Sequence, residues 1–446
     1  MIINQDEILS YGDVEAKRIA LEIVSHAISK ANPYDLVRRA VKLEGSRLVV
    51  EGMCFDFDKV YVVAIGKAAC PMAKAIEDVL KDKIAEGVAV TKYGYTQPLE
   101  RIEVIEAGHP IPNENSMKGA MRGLEIAKKV KEKDLLLVLV SGGGSALFVM
   151  PEDGISLEDK IKTNELLLKS GAKIHEINTV RKHISKVKGG KFIKGVKGKV
   201  VALIISDVVG DNLEVIASGI TVKDPTTFED AYRILKLRGI WEDVPESVKR
   251  HIELGMRGER EETLKEDLEN VHNFLICGTG RVCEFALEKA KELGLDGRIM
   301  TTTLEGEAKE VGTAIASIVQ EIARFGRPFG RGVVLIFGGE TTVTIRGKAG
   351  RGGPNQELAL SSARKIAKLR GCCIASIDTD GTDGPTDAAG GIVDSYTLEL
   401  FEEEGMDVDR CLIEHDAYEC LKKGKALIFT GPTKTNVNSM VVAVIV

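Results

Sequence analysis

Short apolar runs recur along this chain, and each is followed by a glycine-rich turn and then a helix-like stretch. The clearest runs of a first series lie at 60–66, 135–144 and 200–210. Continuous apolar runs of this length are typical of strands that are buried on both faces of a parallel sheet and connected by crossover helices. This pattern predicts an α/β fold.

The length of the chain and one polar stretch predict two domains. A chain of 446 residues is too long for one ordinary core. A second series of apolar runs lies at 273–280, 333–340 and 372–381. The charge-dense stretch 246–270 between the two series lacks strand signals. We place the division there, with domains at 1–250 and 270–446, and the apolar segment 426–446 could return to either sheet.

Charge and composition exclude several classes of partner. The formal net charge is −6, whereas proteins that bind nucleic acid or anionic membranes present a basic face. Residues 1–10 carry charge where a signal peptide has an apolar core, and no run reaches the roughly 20 apolar residues of a membrane span. We expect a cytoplasmic protein without nucleic-acid or membrane partners, in which an anionic substrate would need a local basic pocket.

Cysteine and histidine spacing predicts no zinc site. The eight cysteines form no C-x-x-C pair and no Cys/His cluster, so buried thiols are expected. No pair of the seven histidines has a metal or catalytic spacing. We single out His109 and His183 as the two histidines of interest.

A glycine-rich turn follows the apolar run of 135–140. It consists of Ser141, Gly142, Gly143, Gly144 and Ser145. Open α/β sheets bind ligands at the carboxyl ends of their strands, and consecutive glycines let backbone N–H groups approach an anion. The G-K-[ST] ending of a Walker A loop is missing. A phosphate or carboxylate site is therefore the functional interpretation, and a plain turn is the alternative.

A basic segment at 175–192 predicts a helix ended by Gly189 and Gly190. Asn178 lies one turn before Arg181, and Lys188 lies seven residues after Arg181, on the same predicted helix face. Such a face could hold anionic groups by charge-assisted hydrogen bonds. A solvated basic face is the alternative.

Two charged residues follow strands of the first series. Lys67 comes directly after 60–66, where an ammonium group can neutralise developing phosphate charge. Gly66 stands without the other glycines of a dinucleotide-binding fingerprint. Asp207 follows the run that starts at 200 and is a candidate for orienting or deprotonating a substrate hydroxyl.

The second half contributes an arginine between glycines. Arg351 follows a strand ended by Gly338, Gly339, Glu340 and Thr341, and it precedes Asn355. A guanidinium on a glycine-flanked loop can stabilise the charge of a transferring phosphoryl group. A hairpin turn is the alternative.

An acidic loop follows the last apolar run of the second series. It carries Asp378, Asp380 and Asp383, with Asp387 shortly after. Carboxylates are hard oxygen ligands that suit Mg²⁺. Asx-turns in a surface loop are the alternative.

Together these segments resemble the class II glycerate 2-kinases, whose C-terminal half is known as the MOFRL domain. From AIGKAA near 64 to TGPTKTNVN ending at 438, the motifs stand in the order of that family. They include SGGGSAL, EINTVRKHISKVKGG, SDVVGD, GGETTVT, GRGGPNQE and DTDGTDGPTDAAG. Each motif is weak to moderate alone, but their common order over most of the chain is specific.

The resemblance implies a Rossmann-like N-terminal domain, a smaller α/β C-terminal (MOFRL) domain and an active site in the interdomain cleft. It implies ATP with Mg²⁺ or another divalent cation as the donor, and the 2-hydroxyl of D-glycerate as the acceptor. By the resemblance, Lys67, Arg351 and the acidic loop around Asp378 and Asp380 would be catalytic or metal-associated. To these we add Asp207 as a catalytic residue and Asp383 as a metal ligand, from their positions in the sequence. Substrate or phosphate would be bound by Ser141 to Ser145, Asn178, Arg181 and Lys188, and nucleotide by Gly338, Gly339, Glu340, Thr341 and Asn355.

Two other functions stay open at this stage. One is a hydroxypyruvate reductase-type NAD(P)H oxidoreductase, which the incomplete dinucleotide fingerprint does not support. The other is a non-catalytic nucleotide- or metabolite-binding protein. The oligomeric state, including a homodimer, is also open.

Overall fold

Two six-stranded sheets and one three-stranded sheet organise the chain. The computed structural model describes residues 1–446. They form two units, each with its own sheet. The first unit comprises Pro33–Ser206 and Asp211–Ile276, and the second unit comprises Met1–Asn32, Asp207–Gly210 and Cys277–Val446.

Strands and helices alternate along most of the chain. The strands are β1 (Val41–Glu44), β2 (Arg47–Val50), β3 (Met53–Asp56), β4 (Val60–Ile65), β5 (Ile84–Lys92), β6 (Glu103–Ala107), β7 (Leu135–Val140), β8 (Lys199–Ile205), β9 (Val271–Cys277), β10 (Asp296–Leu304), β11 (Val333–Gly339), β12 (Cys372–Asp378), β13 (Gly390–Asp394), β14 (Leu427–Ile428) and β15 (Ser439–Ile445). The α-helices are α1 (Gln5–Ile8), α2 (Val14–Lys30), α3 (Pro33–Ala40), α4 (Ala69–Leu80), α5 (Glu114–Lys129), α6 (Gly144–Leu147), α7 (Leu157–Lys169), α8 (Ile174–His183), α9 (Phe228–Leu237), α10 (Glu246–Met256), α11 (Thr279–Glu292), α12 (Ala308–Phe325), α13 (Pro354–Ile366), α14 (Thr397–Glu403), α15 (Val408–Ile413) and α16 (Ala417–Lys423). Short 3-10 helices occupy Lys81–Lys83 and Ile216–Ser218.

The sheet of the first unit is an open, doubly wound sheet. Its strand order is β6-β5-β4-β7-β8-β9, and the pairs that β4 forms with β5 and β7 are parallel, as are β5 with β6 and β7 with β8. Every residue of β4 and β7 is buried, as their continuous apolar runs predict. The strand order reverses between β4 and β7, and open α/β sheets bind ligands at that point.

A helical layer in the first unit packs α7, α8, α9 and α10 around an apolar cluster. Phe228 and Trp241 are its largest buried side chains. The α9 helix begins with a capping box, in which the Thr227 hydroxyl and the Asp230 carboxylate satisfy each other's backbone amides. This layer holds α7 and α8, which carry charged side chains of the candidate site.

The sheet of the second unit is mixed. Its order is β10-β11-β15-β12-β13-β14, with β10 and β11 parallel and the other pairs antiparallel. The C-terminal strand β15 lies in the interior of this sheet and is buried along its whole length. The alternative that the last segment returns to the first sheet is therefore wrong.

The observed division of the chain differs from the predicted one at both ends of the first domain. Met1–Asn32 belongs to the second unit, because Lys17 on α2 is buried against Asp394, with 3.3 Å between Nζ and Oδ2. The polar stretch 246–270 contains α10, which packs on α9 and α7. The apolar run that opened the predicted second series forms β9, the last strand of the first sheet.

Seven of the eight cysteines are buried, and Cys54 is exposed. Cys54 lies on β3, where three of the four residues are exposed, so the expectation of a buried thiol is wrong at this position. None of the helices is both long enough and apolar enough to cross a membrane.

Candidate active site

Two turns meet where the strand order of the first sheet reverses. The Lys67 backbone amide donates to the Gly142 carbonyl at 2.8 Å, and the Ala68 amide donates to Ser141 Oγ at 3.0 Å. Gly66 has φ +116°, and a Cβ there would lie 2.3 Å from Ser141 Oγ, so only glycine fits. The predicted Lys67 and the predicted serine-glycine turn are thus brought together.

A histidine joins Lys67 at this edge. The His109 ring lies beside Gly143, where a Cβ would be 3.0 Å from His109 Cδ2. Burial and then the charges of Lys67 and Lys92 lower the pKa of His109 to about 4. His109 is therefore neutral at neutral pH, within the electrostatic influence of Lys67.

Lys188 reaches the same turn by a route that the sequence did not predict. The helix predicted over 175–192 ends at His183, because Ser185 pairs with Pro151 and the Lys186 amide donates to the Met150 carbonyl. Arg181 and Lys188 therefore do not share a helix face. Lys188 is buried, and its ammonium group donates to the carbonyls of Gly144 at 3.0 Å and Ala217 at 3.2 Å.

Three basic side chains lie near the serine-glycine turn, and no carboxylate pairs with them. Burial and the charges of Lys160 and Arg181 lower the pKa of Lys188 well below its ordinary value. Burial and the charge of Arg181 lower the pKa of Lys160 to about 7, and burial lowers the pKa of Arg181 to about 10. We call Lys160, Arg181 and Lys188 the cation cluster. Buried like charges of this kind are unfavourable unless an anion completes the site.

Hydroxyl and amide groups form a network next to the cation cluster. Ser145 Oγ lies 2.9 Å from Ser218 Oγ, and Ser218 Oγ donates to Asn178 Oδ1 at 3.0 Å. Ala217 and Ser218 have φ of 49° and 60°, a left-handed conformation that costs about 1 kcal/mol or more for a residue with a side chain. Strained backbone of this kind is concentrated at functional sites, and here it orients the Ala217 carbonyl toward Lys188.

His183 has a structural role. Its ring is fully buried, with Nδ1 2.8 Å from the Thr179 carbonyl oxygen and Nε2 3.0 Å from Glu262 Oε2. The ring of Phe228 packs against it at 4.8 Å between centroids. Of the two histidines singled out in the sequence, only His109 lies beside the candidate site residues.

The acidic loop of the second unit separates into two parts. Asp383 accepts from the backbone amides of Asn355 and Gln356 at 3.0 and 2.9 Å, and from both side-chain amides. Both Asp383 oxygens therefore stabilise the start of α13, a structural role at odds with the predicted metal ligation. Asn355 is buried in the same network, where it also bonds to Ser439 and Ser376, so its amide is already engaged within the chain.

Asp378 and Asp380 form the other part of the loop. Burial, and then the charges of Asp380, Asp383 and Glu340, raise the pKa of Asp378 to about 7. Asp380 Oδ1 accepts from the backbone and hydroxyl of Thr382, both at 2.9 Å. Across residues 1–446, no group of three or more His, Cys, Asp or Glu side chains is arranged to hold a metal ion. The chain alone offers at most two carboxylates to a cation here.

Arg351 is held in a defined position in the second unit. Its guanidinium lies 3.8 Å from the centroid of the Tyr418 ring, and Nη2 donates to Asp387 Oδ1 at 2.8 Å. Tyr418 donates its hydroxyl to the same Asp387 oxygen at 2.9 Å. Asp387, which the sequence grouped with the acidic loop, thus pairs with the predicted catalytic arginine.

The remaining predicted residues occupy strand ends. Gly338 and Gly339 end β11, Glu340 is exposed, and Thr341 is buried. Asp207 follows β8 and is half-buried. Their nucleotide-binding and catalytic roles stay predictions.

The sequence reasoning missed Lys160 and Asn164, which both lie on α7. Asn164 Oδ1 accepts from Arg181 Nε at 2.5 Å. Lys160 lies next to apolar residues on a helix that must pack on one face, and this position could have predicted that it is buried. Three lysines in that helix made the signal ambiguous.

Two family models match the chain. Residues 19–253 match "Domain of unknown function (DUF4147)", and residues 333–439 match the "MOFRL family".

Proteins of known name match almost the whole chain. It is 62% identical to the glycerate 2-kinase of Pyrococcus horikoshii, covering 97% of this chain and 98% of that protein. It is 48% identical to the D-glycerate 2-kinase of Thermotoga maritima, covering 96% and 98%. A relative from Agrobacterium vitis, named a putative hydroxypyruvate reductase, is 38% identical, covering 97% of this chain and 95% of that protein.

The fold has also been seen in a crystal structure. The glycerate kinase of Thermotoga maritima aligns with a TM-score of 0.88 at 46% identity, covering 97% of this chain and 100% of that chain. The α/β fold with two domains is thereby confirmed. This chain belongs to the glycerate 2-kinase family that carries the MOFRL domain.

Proposed function

We propose that this chain transfers the γ-phosphoryl group of ATP to the 2-hydroxyl of D-glycerate, giving 2-phospho-D-glycerate and ADP. The observation that carries the proposal is the cation cluster of Lys160, Arg181 and Lys188, which lies next to the serine-glycine turn without a carboxylate partner. An acceptor that brings its own carboxylate would complete this site.

Binding of the acceptor would fix its reacting hydroxyl. The carboxylate would be held by the cation cluster, and the Ser145, Ser218 and Asn178 network offers hydrogen bonds to the hydroxyls of a small polyhydroxy acid. Holding both ends of a short acceptor converts a bimolecular reaction into an oriented one.

Charge on the transferring group needs cations that are in place before the reaction. Lys67, with His109 neutral beside it, would stabilise the phosphoryl oxygens, and Arg351 would supply a guanidinium. Asp207 is the proposed group that orients or accepts the proton of the 2-hydroxyl. Phosphoryl transfer depends on such positioning and neutralisation more than on a strong base.

Mg²⁺ fits the acidic loop. Burial and then the nearby Asp380 carboxylate raise the pKa of Asp378, and a divalent cation would neutralise the repulsion between the two carboxylates. Mg²⁺ is usually bound by one or two protein carboxylates plus substrate phosphates and water. When bound, it would neutralise negative charge on the ATP phosphates. Asp383 would support the loop through α13.

The test is ADP formation from ATP and Mg²⁺ with D-glycerate, L-glycerate or glycerol as the acceptor. The proposal expects ADP to form with D-glycerate and not with glycerol, which lacks the carboxylate. The oxidoreductase alternative predicts instead that hydroxypyruvate consumes NADH or NADPH, which absorbance reports directly. If neither ADP formation nor NAD(P)H consumption is observed, the result would point to a binding protein without turnover.

A further inference from the structure

One residue of the cation cluster has no partner within the chain. Lys160 lies on α7 with only 6% of its surface exposed. Its pKa is lowered by burial and by Arg181, and no carboxylate or hydrogen-bond acceptor opposes this effect. A buried ammonium group in such surroundings is strongly disfavoured.

The acidic and amide side chains nearest to Lys160 on α7 form hydrogen bonds with other residues. Asp159, the residue before Lys160, accepts from the hydroxyl of Ser247 on α10 at 2.6 Å. Asn164, one turn along α7, accepts from Arg181 Nε. Neither side chain neutralises Lys160, so the charge next to it within the chain is that of other cations.

The members of the cation cluster differ in what they have left to offer a ligand. Lys188 is already bonded to the Gly144 and Ala217 carbonyls, so it joins the two turns. Arg181 uses Nε for Asn164, which leaves the two terminal nitrogens of its guanidinium. Lys160 has its whole ammonium group available.

We infer that Lys160 and Arg181 together bind the carboxylate of the acceptor, while Lys188 positions the turns that surround it. This inference rests on the proposed function and deepens it. It makes Lys160 a specificity residue, because an acceptor without a carboxylate would leave the buried Lys160 and the half-buried Arg181 without a counter-ion. It also removes the carboxylate contact from Lys188, which the sequence placed among the residues that bind substrate or phosphate.

The test is a comparison of Lys160→Met with wild type by calorimetric titration with D-glycerate in the absence of nucleotide. Loss of one charge-assisted hydrogen bond predicts binding weaker by about 10- to 100-fold. The KM for D-glycerate should rise by a similar factor with little change in kcat, because the carboxylate is held equally in the ground and transition states. Lys160→Arg, which keeps the charge, should recover part of the affinity.

A matched control is Lys162→Met, an exposed lysine on the same helix, which should bind D-glycerate as wild type does. Removing a buried cation should also raise the melting temperature of the ligand-free Lys160→Met protein by about 2–8 °C. If the methionine variant does not fold, Lys160→Gln serves in its place, with the same loss of affinity expected.

Two failures can be told apart. Wild-type affinity in both Lys160→Met and Lys160→Gln would overturn the inference, because the lysine would then be only a structural residue. Absence of D-glycerate binding and turnover in the wild-type protein would instead overturn the proposed function.

Discussion

The cation cluster of the first unit and the acidic loop of the second unit have opposite charge. Each holds like charges without enough groups of opposite charge to neutralise them. In the first, Lys160 and Lys188 are buried and Arg181 is half-buried, no carboxylate pairs with them, and their pKa values are lowered. In the second, Asp378 is half-buried near other carboxylates, and its pKa is raised to about 7. Each region holds like charges that a ligand of the opposite sign would stabilise.

This difference leads us to propose a different ligand for each region. An anionic acceptor suits the cation cluster, and a divalent cation with phosphate oxygens suits Asp378 and Asp380. Buried charges outside both regions include pairs within the chain, such as Lys17 with Asp394 and Lys182 with Asp224. Uncompensated buried charge is therefore the feature that marks both candidate sites.

The largest expected effect is from Arg351→Met, which tests whether charge on the transferring group is stabilised from the second unit. A correctly placed arginine contributes about 10³-fold or more to phosphoryl transfer, so kcat should fall by about 10³-fold with ATP and D-glycerate. The control is Arg364→Met on α13, whose guanidinium pairs with the exposed Asp409. Equal activity of the two variants would remove Arg351 from the mechanism.

Asp378→Asn and Asp383→Asn separate metal ligation from support of the fold. The first should lower Mg²⁺-dependent kcat by about 10²-fold. The second should destabilise the protein by about 2 kcal/mol, because it disturbs the hydrogen bonds to the start of α13. Activity titrations with Mg²⁺ and denaturant unfolding measure the two effects. Loss of Mg²⁺-dependent activity in a stable Asp383→Asn protein, with loss of stability in Asp378→Asn, would contradict our division of the loop.

The pH dependence should distinguish the cation cluster from a solvated basic face. An unfolded lysine keeps its proton to about pH 10.5, whereas Lys160 in the fold loses it at about 7. The unfolded state then binds more protons between these values, so the ligand-free protein should become more stable as pH rises through this window.

D-glycerate binding should change in the opposite direction over that window, weakening by up to about tenfold per pH unit as Lys160 loses its charge. Arg181 stays protonated below about pH 10, and Lys188, with its own lowered pKa, acts in the same direction as Lys160. Thermal melting and calorimetric titration from about pH 6 to 10 would measure both trends. Affinity independent of pH would show that no lysine of the cluster titrates at the site.

The smallest expected effect concerns the support of Arg351. Tyr418→Phe keeps the ring beneath the guanidinium and removes the hydrogen bond to Asp387. A bond of this kind is worth about 1 kcal/mol, so kcat should fall about fivefold. The same substitution in an Arg351→Met background should have no further effect, and a full second loss would show that Tyr418 acts independently of Arg351.

Local patterns were sufficient for the parts of the site that follow directly from strands. The runs of β4 and β7 are continuous and apolar, and Lys67 and the serine-glycine turn follow them immediately. The sequence placed each of them at the carboxyl end of its own strand, and the parallel pairing of β4 with β7 brings the two together. The same reasoning placed Asp378 at the end of β12.

Long-range contacts decided the rest. The pairing of Ser185 with Pro151 ends α8 early and redirects Lys188, and no helix propensity predicts a bridge to a distant residue. Lys160 resembles the exposed Lys162 in the sequence, and only the packing of α7 buries it. The N-terminal helix α2 joins the second unit through Asp394, a contact that spans most of the chain.

The 2-hydroxyl of D-glycerate is the proposed acceptor, and the identity of the product decides whether this is correct. The product of a reaction with ATP, Mg²⁺ and D-glycerate would be supplied to enolase alone. Consumption by enolase is the predicted result, because enolase accepts 2-phosphoglycerate. A product that enolase consumes only after phosphoglycerate mutase is added would be 3-phosphoglycerate, and it would contradict the proposed orientation of the acceptor.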